Sequence, residues 1–206
     1  MLTREGAKIV EVLGRKPAEC YQIAKLGKLA GKKSYSWTFN QIKNLHKEGI
    51  LIMEKKGMAN FCSLNLENPL TFECLSYAEA IKFRNKKLPF EEIKEIFNLI
   101  PEKYFTLIIT GSYANGTARK ESDLDIVVIA DEKANTKEIL NILLEKGNLM
   151  LPKIHPYVFR KTEFLGMLLS KEANYGKLVE RNRIIAFGAA NYYLILKEAI
   201  EHGFDG

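Results

Sequence analysis

The segment GSYANGTARKESDLDIVV, residues 111–128, combines a glycine–serine pair with two aspartates just ahead of an apolar run. Asp123 and Asp125 are alternate residues of the predicted strand DLDIVVIA, so their carboxylates face the same side, about 6.6 Å apart along the strand. Two carboxylates this close repel each other unless a cation joins them. Mg²⁺ fits, because it prefers a few carboxylates together with phosphate oxygens. The pair therefore predicts a site for Mg²⁺ or Mn²⁺.

The glycine–serine pair ends a second apolar run, residues 104–110, and opens a predicted helix. Gly111 permits a turn too tight for a side chain, and we expect Ser112 to cap the helix. Free backbone N–H groups at a helix start, beside a hydroxyl, bind phosphate oxygens. Gly116 would let a ligand approach the backbone closely. If the two strands are neighbours, the phosphate site and the carboxylates lie together; an ordinary helix cap followed by a turn at Ser122 is the alternative.

The motif as a whole, Gly-Ser followed by ten residues and Asp-x-Asp, resembles the signature of the polymerase-β-like nucleotidyltransferases and is similar to their minimal branch. The resemblance extends from about Phe90 to the end of the chain. It implies a mixed β-sheet flanked by helices, a nucleoside triphosphate substrate such as ATP, and Mg²⁺. Gly111 and Ser112 would hold the β- and γ-phosphates. Asp123 and Asp125 would bind the metal ions that activate an attacking hydroxyl and stabilise the pyrophosphate leaving group.

Relatives in this family usually supply a third carboxylate from a later strand, and here that carboxylate is missing. The candidate strand, PKIHPYVF, contains neither Asp nor Glu. His155 at its centre and Glu163 beyond its end are the substitutes we expect, and His155 could coordinate a metal or take a proton. A structural histidine is the alternative. Further along, we expect Arg183 to face solvent rather than a triphosphate.

The positive charge is concentrated in the first third of the chain. Residues 1–64 hold 12 Lys and Arg against 5 Glu, a net charge of +7, whereas residues 65–206 hold 19 against 20 acidic residues, a net charge of −1. This asymmetry predicts a polyanionic partner for the first third. A basic surface without a partner is the alternative.

Three helices and a hairpin are predicted in this basic third. The helices are REGAKIVEVLGRK, which Gly14 would stop, PAECYQIAKLGKLAG, which Pro17 would open, and SWTFNQIKNLHKEG, which Ser34 or Ser36 would cap. Two short strands then flank a turn at residues 55–57. The set resembles the winged-helix domains of archaeal and bacterial transcriptional regulators.

The third helix has a polar side that is suited to DNA. Opposite its apolar side it carries an expected exposed tryptophan and three amides: Trp37, Asn40, Gln41 and Asn44. Asn and Gln can bind adenine edges in the major groove. Four lysines flank this side or lie at the hairpin tip, where they could bind phosphates: Lys43, Lys47, Lys55 and Lys56. A solvated surface, or a protein contact of the tryptophan, is the alternative.

The sequence therefore predicts an α+β protein in three parts: a winged helix-turn-helix domain at 1–66, a connecting helix at 67–88 and a nucleotidyltransferase domain at 89–206. Because winged-helix proteins usually bind two DNA half-sites, we expect a homodimer. No apolar run approaches the roughly 20 residues that span a bilayer, and the start of the chain lacks the pattern of a secretory signal. We therefore expect a cytoplasmic protein without a membrane partner.

Two functions are compatible with this organisation. The first is a DNA-binding nucleotidyltransferase that moves AMP from ATP onto a hydroxyl of a partner protein, as antitoxin relatives modify a toxin. The second is a transcriptional regulator whose degenerate site senses a nucleotide without turnover. An enzyme that modifies tRNA or an antibiotic is a weaker third option, because no further recognition domain is visible.

Overall fold

The structure is a computed structural model that describes residues 2–206, and its first third forms three helices and a small antiparallel sheet. The helices are α1 (Arg4–Arg15), α2 (Ile23–Leu29) and α3 (Tyr35–Lys47). The strands are β1 (Tyr21–Gln22), β2 (Leu51–Lys56) and β3 (Ala59–Leu64), with β3 in the middle. Ser34 caps α3, because its side chain accepts a hydrogen bond from the Trp37 N–H.

The predicted second helix is wrong at its start. Pro17 lies in a turn, and α2 begins only at Ile23. The intervening Tyr21 pairs with Cys62 of β3 and is buried, so pairing with the sheet overrides the local helical pattern.

A long helix, α4 (Pro69–Arg84), follows the hairpin and lies within the predicted connecting segment. The Asn68 side chain caps it by accepting from the Leu70 N–H. Helix α4 packs against α1 on one side and against the last helix and last strand of the chain on the other. One hydrophobic cluster therefore runs from Ile9 through Leu75 to Leu196.

The remaining residues form a four-stranded mixed sheet with helices around it, which confirms the α+β class. The strands are β4 (Phe105–Ile109), β5 (Leu124–Ala130), β6 (Ile154–Arg160) and β7 (Ile184–Phe187). The helices are α5 (Phe90–Leu99), α6 (Gly111–Asn115), α7 (Thr136–Gly147), α8 (Lys161–Leu169), α9 (Tyr175–Arg181) and α10 (Ala189–Glu201). The spatial order is β6-β5-β4-β7, and only the β5–β6 pair is parallel.

Each face of this sheet belongs to a different hydrophobic cluster, because successive side chains of a strand point to opposite faces. Val127 and Ile129 of β5 join the cluster that includes α1, α4 and α10. Ile126 and Val128 join a second cluster formed with α5 and α7. Burying each such side chain contributes about 1.5–3 kcal/mol to folding. No helix within residues 2–206 is long and apolar enough to cross a membrane.

Arg183, expected at the surface, is instead buried between the two halves of the chain, with 7% of its surface exposed. Its guanidinium donates to the Gly14 carbonyl oxygen of α1 at 2.8 Å and forms an ion pair with Glu180 at 3.0 Å. A buried charge needs such partners, because removing one of them leaves the other uncompensated. The sequence expectation is therefore wrong, and the reason is the carbonyl that α1 supplies.

A second ion pair adjoins Arg183. Lys82 of α4 lies 3.2 Å from the buried Glu79 carboxylate and also donates to the Arg183 carbonyl oxygen. The Tyr193 hydroxyl of α10 donates to Glu79 at 2.9 Å. Burial lowers the pKa of Lys82, and the neighbouring Glu79 carboxylate opposes that shift. The two cations and two carboxylates of this cluster balance each other, and they connect α1, α4, α9 and α10.

Gly14 does not stop α1, which continues to Arg15. A Cβ at this position would lie 2.7 Å from the Tyr193 hydroxyl and 2.8 Å from a methyl group of Leu75. The glycine is therefore explained by close packing of α1 against α4 and α10.

This packing predicts opposite effects of one substitution at two helical glycines. Gly14→Ala should lower the free energy of unfolding by about 1 kcal/mol, because overpacking outweighs the better helix propensity of alanine. Gly166→Ala in α8, where a Cβ meets no atom within 4 Å, should raise it by about 0.5–1 kcal/mol. Urea denaturation measures both values. Stabilisation by Gly14→Ala would show that this contact is not tight.

Candidate active site

Three strands have an end at the same end of the four-stranded sheet. Because β4 runs antiparallel to β5, the end of β4 lies beside the start of β5, and the Thr110 N–H donates to the Asp125 carbonyl oxygen at 3.0 Å. Strand β6 is parallel to β5 and therefore begins at the same end of the sheet. The glycine–serine pair, the two aspartates and His155 are therefore brought to one end of the sheet.

Gly111 is required at its position for two independent reasons. Its φ of +64° is in the left-handed region that favours glycine. In addition, a Cβ here would overlap the carboxylate of Asp125, which packs directly against the Gly111 backbone. The close approach links the turn to one of the two acidic side chains.

Ser112 is the second residue of α6, so Thr110 and not Ser112 precedes the helix as its cap residue. The expected capping role of Ser112 is therefore wrong, and its hydroxyl makes no hydrogen bond within residues 2–206. Gly116 ends α6 with a φ of +73°, and a Cβ there would meet open space. The backbone conformation explains this glycine.

Asp125 and His155 are direct partners across the parallel strand pair. The His155 Nδ1 atom lies 3.2 Å from the Asp125 Oδ1 atom. The His155 side chain is 56% exposed and that of Asp125 30%, so the imidazole lies at the surface and not in the core. Asp123 is exposed and makes no hydrogen bond or ion pair within the described part of the chain.

Glu163 does not reach this site. It lies in the first turn of α8, where its carboxylate accepts a hydrogen bond from the Arg160 N–H at 2.8 Å. The whole of β6, about 20 Å of extended chain, separates that end from His155. Of the two substitutes for the missing carboxylate, only His155 lies at the end of the sheet that carries the glycine–serine turn and the aspartates.

Asn182 is a site residue that the sequence did not reveal. Its side-chain amide donates to the Gly111 carbonyl oxygen at 3.2 Å, and its own carbonyl oxygen accepts from the Thr110 hydroxyl at 2.8 Å. Asn182 thus holds both residues that precede Ser112. It lies 71 positions from Gly111, and no local pattern connects them.

Aromatic side chains border the two aspartates. The His155, Tyr157 and Tyr175 rings contact one another in series at tilted angles of 46° and 37°, with centroids 4.8 and 4.3 Å apart. Burial raises the pKa of Tyr175, and Tyr157 and Asp125 raise it further. Burial likewise raises the pKa of Tyr113, to which the nearby Glu92 and Asp123 carboxylates add. Both phenols therefore stay protonated at neutral pH and can donate hydrogen bonds.

Comparison with known families agrees with this geometry. Residues 90–179 match the family described as a nucleotidyltransferase domain. The matched range includes the glycine–serine turn, both aspartates and His155, and ends before Asn182. No curated protein and no solved structure matches the chain.

The acidic pair of the matched segment fits a cation that is shared with phosphates. Within residues 2–206, no group of three or more His, Cys, Asp or Glu side chains is arranged to hold a metal ion. Asp123 and Asp125 supply hard carboxylate oxygens at a partly open position, which suits Mg²⁺ or Mn²⁺ when phosphate oxygens and water complete the shell. The imidazole of His155 is a weaker ligand for these ions.

Outside the matched segment, the exposed side of α3 differs from the predicted DNA-facing side. Asn40, Lys43 and Lys47 are exposed on one side. Trp37 is half-buried, with the Lys32 ammonium 4.6 Å from its ring centroid, so the expectation of an exposed tryptophan is wrong. It packs against the hydrophobic cluster that includes residues of α1 and α4.

The other predicted DNA-binding side chains differ in their exposure and in their ion pairs. Gln41 is half-buried beside the start of α1, and Asn44 is exposed next to it. At the hairpin, Lys55 is exposed, whereas Lys56 forms an ion pair with Glu54 at 3.0 Å. Of the four predicted lysines, Lys43, Lys47 and Lys55 are therefore exposed and form no ion pair within residues 2–206.

The overlap at Gly111 predicts unequal costs for two glycine substitutions in the matched segment. Gly111→Ala and Gly116→Ala both place alanine in the left-handed region, at about 1–2 kcal/mol each. Gly111→Ala should cost about 1–3 kcal/mol more, because the Asp125 carboxylate must move. Thermal or urea denaturation of the two variants gives the difference. Equal destabilisation would contradict the close contact.

Proposed function

We propose that the protein is a Mg²⁺-dependent nucleotidyltransferase that transfers AMP from ATP to a hydroxyl of a partner protein, and that its N-terminal third binds DNA. The observation that carries the first part is the contact between Gly111 and the Asp125 carboxylate. It places an acidic side chain against the turn whose next residue, Ser112, has a free hydroxyl. A toxin that this protein modifies as an antitoxin is the acceptor class we favour.

Each side chain of the site has a role in this proposal. Ser112 and the adjacent backbone N–H groups bind the terminal phosphates, and Asn182 fixes the turn that presents them. Asp123 and Asp125 hold the cation. When bound, Mg²⁺ neutralises phosphate charge and lowers the pKa of the attacking hydroxyl. His155 lies within hydrogen-bonding distance of Asp125, and its imidazole accepts the proton of that hydroxyl.

The absent third carboxylate favours a second candidate function. Strand β6 supplies His155 at the site and no acid, and Glu163 lies at the far end of that strand. A site that binds ATP and Mg²⁺ without turnover would sense the nucleotide and regulate DNA binding. The two candidates differ in whether a covalent product forms.

Replacing the acidic pair tests the enzymatic proposal. Asp123→Asn with Asp125→Asn should reduce transfer of label from α-phosphate-labelled ATP to protein at least a hundredfold, roughly the loss expected for several kcal/mol of charge stabilisation. The matched control is Asp131→Asn, which removes a carboxylate just past the other end of β5. Cell extract supplies the acceptor.

Two results of that assay would contradict enzymatic transfer. The first is equal labelling by the double variant and the wild type. The second is no labelling although the wild type binds ATP and Mg²⁺ in calorimetry, which would favour the sensor.

The proposal of DNA binding rests on the charge and shape of the first third. Its net charge of +7 contrasts with −1 for the rest of the chain. The exposed side of α3 presents Asn40 about one turn before Lys43 and two turns before Lys47, an amide for base edges beside two cations for phosphates. Lys55 extends the basic surface to the hairpin. A homodimer that contacts two half-sites is part of this proposal.

Charge reversal on α3 tests the DNA interface. Lys43→Glu with Lys47→Glu should weaken binding to a labelled duplex from upstream of the coding sequence at least tenfold, and should lower the slope of log K against log salt by about 2. Gel shifts over a range of stated salt concentrations measure both quantities. Lys133→Glu with Lys137→Glu, the same charge change in the nucleotidyltransferase domain, is the control. Equal loss in both variants would indicate a general charge effect and no specific interface.

A further inference from the structure

A groove lies between α5 and the loop that joins α7 to β6. Its volume is about 350 Å³, and we call it the α5 groove. Six side chains line it: Glu92, Glu95, Lys146, Leu149, Met150 and Leu151. It lies on the face of the sheet covered by the second hydrophobic cluster, opposite the face against which α10 and α4 pack.

Two leucines of the α5 groove are far more exposed than an ordinary surface leucine. Leu149 and Leu151 are each 83% exposed, whereas the neighbouring Met150 is buried. Two such side chains at one edge of a groove form an apolar contact that a partner can cover, and their removal from water would stabilise the complex.

The lining of the α5 groove is acidic on balance, because two carboxylates, Glu92 and Glu95, face one cation, Lys146. Glu92 and Glu95 form no ion pair within residues 2–206, whereas Glu91 on the same helix lies 3.9 Å from Lys94. This acidic lining contrasts with the net charge of +6 of the whole chain. It disfavours DNA and anionic lipid as occupants and favours a cationic segment.

The α5 groove and the candidate active site share a neighbour in Tyr113. This ring packs against the second hydrophobic cluster, to which Met150 of the groove belongs, and both the Glu92 and the Asp123 carboxylates raise the pKa of its phenol. The loop that carries Leu149 and Leu151 leads directly into β6, where His155 follows Leu151 by four residues. A segment bound in the groove would therefore end near the acidic pair.

We propose that the α5 groove docks the acceptor protein through a segment that presents leucine-like and basic side chains, and so brings the acceptor hydroxyl to the site. This inference rests on the proposed transfer of AMP to protein. Leu149 and Leu151 cover the apolar side of the segment. Glu92 and Glu95 pair with its lysines or arginines. These pairs fix the position of the segment along the groove and make its binding depend on salt concentration.

A synthetic probe tests the chemistry of the groove directly. The probe is a fluorescein-labelled amphipathic peptide of leucine and lysine, and its analogue carries glutamate in place of each lysine. Fluorescence anisotropy with the full-length protein should show binding of the lysine peptide alone. Leu149→Asn with Leu151→Asn should weaken that binding about tenfold or more, the loss expected when a buried leucine contact is removed.

The charge of the groove is tested in the same assay. Glu92→Gln with Glu95→Gln should weaken binding of the lysine peptide several-fold and reduce its salt dependence. Two controls are matched to these changes: Met58→Asn, at a fully exposed apolar residue of the β2–β3 turn, and Glu73→Gln with Glu172→Gln, at exposed glutamates elsewhere. Four results overturn the proposal: no binding of the lysine peptide, equal binding of the glutamate peptide, equal losses in the controls, or loss of a dimer in the leucine variant by sedimentation.

Label transfer separates this inference from the proposed function. If the groove variants bind ATP and Mg²⁺ as the wild type does but lose transfer to protein, docking in the α5 groove is supported. If transfer is unchanged, the docking proposal is wrong and the transferase stands. If the peptide requires the groove but the wild type transfers no label, the transferase proposal is wrong and the groove stands as an interaction surface.

Discussion

The contact between the Gly111 backbone and the Asp125 carboxylate is the constraint on which the candidate site depends. The register of β4 and β5, in which Ile109 lies opposite Ile126, places the turn after β4 directly over the residue that precedes Ile126. No side chain fits at Gly111, because the carboxylate fills that space. The turn and the acidic strand are therefore one unit, and a change in the register would separate the hydroxyl of Ser112 from Asp125.

Two neighbouring residues connect this unit to the rest of the molecule. Asn182 holds the Gly111 carbonyl oxygen, and Arg183, the next residue, holds the Gly14 carbonyl oxygen of α1. The site is therefore supported by a segment that is itself fixed by buried charges. Glu180 and Glu79 compensate those charges, and their partners come from α4 and α10. The same residues thus position the turn and join the two halves of the chain.

The sequence predicts the parts of this protein that are local. The glycine–serine turn, the strand with alternating aspartates and the three helices with their hairpin follow from patterns within about twenty residues. The errors arise where distant segments meet. Pro17 does not open a helix because β1 pairs with β3, and Trp37 is half-buried because it packs against a cluster built from distant parts of the chain. Arg183 is buried because a carbonyl oxygen 169 positions away accepts its hydrogen bond.

In the candidate site, too, local features follow from the sequence, whereas contacts between distant segments do not. Periodicity predicts that Asp123 and Asp125 face the same side of one strand, but β5 begins at Leu124, so Asp123 immediately precedes it. The parallel pairing of β5 and β6 places His155 beside Asp125. The roles of Asn182 and Thr110 depend on hydrogen bonds across the sheet edge, and no pattern in the sequence indicates them. The choice between His155 and Glu163 likewise required the direction of β6, since the two residues lie at opposite ends of that strand.

The hydrophobic cluster that continues from Ile9 through Leu75 to Leu196 limits how the chain can be divided into fragments that fold. A fragment that ends after α4 would leave the apolar side of that helix in water, and a fragment that begins after it would lose the partner of Tyr193. Neither fragment would keep a complete interior. Recombination between genes would therefore have to transfer both halves together, and homologues that carry one half alone must have replaced the surface that α4 covers here.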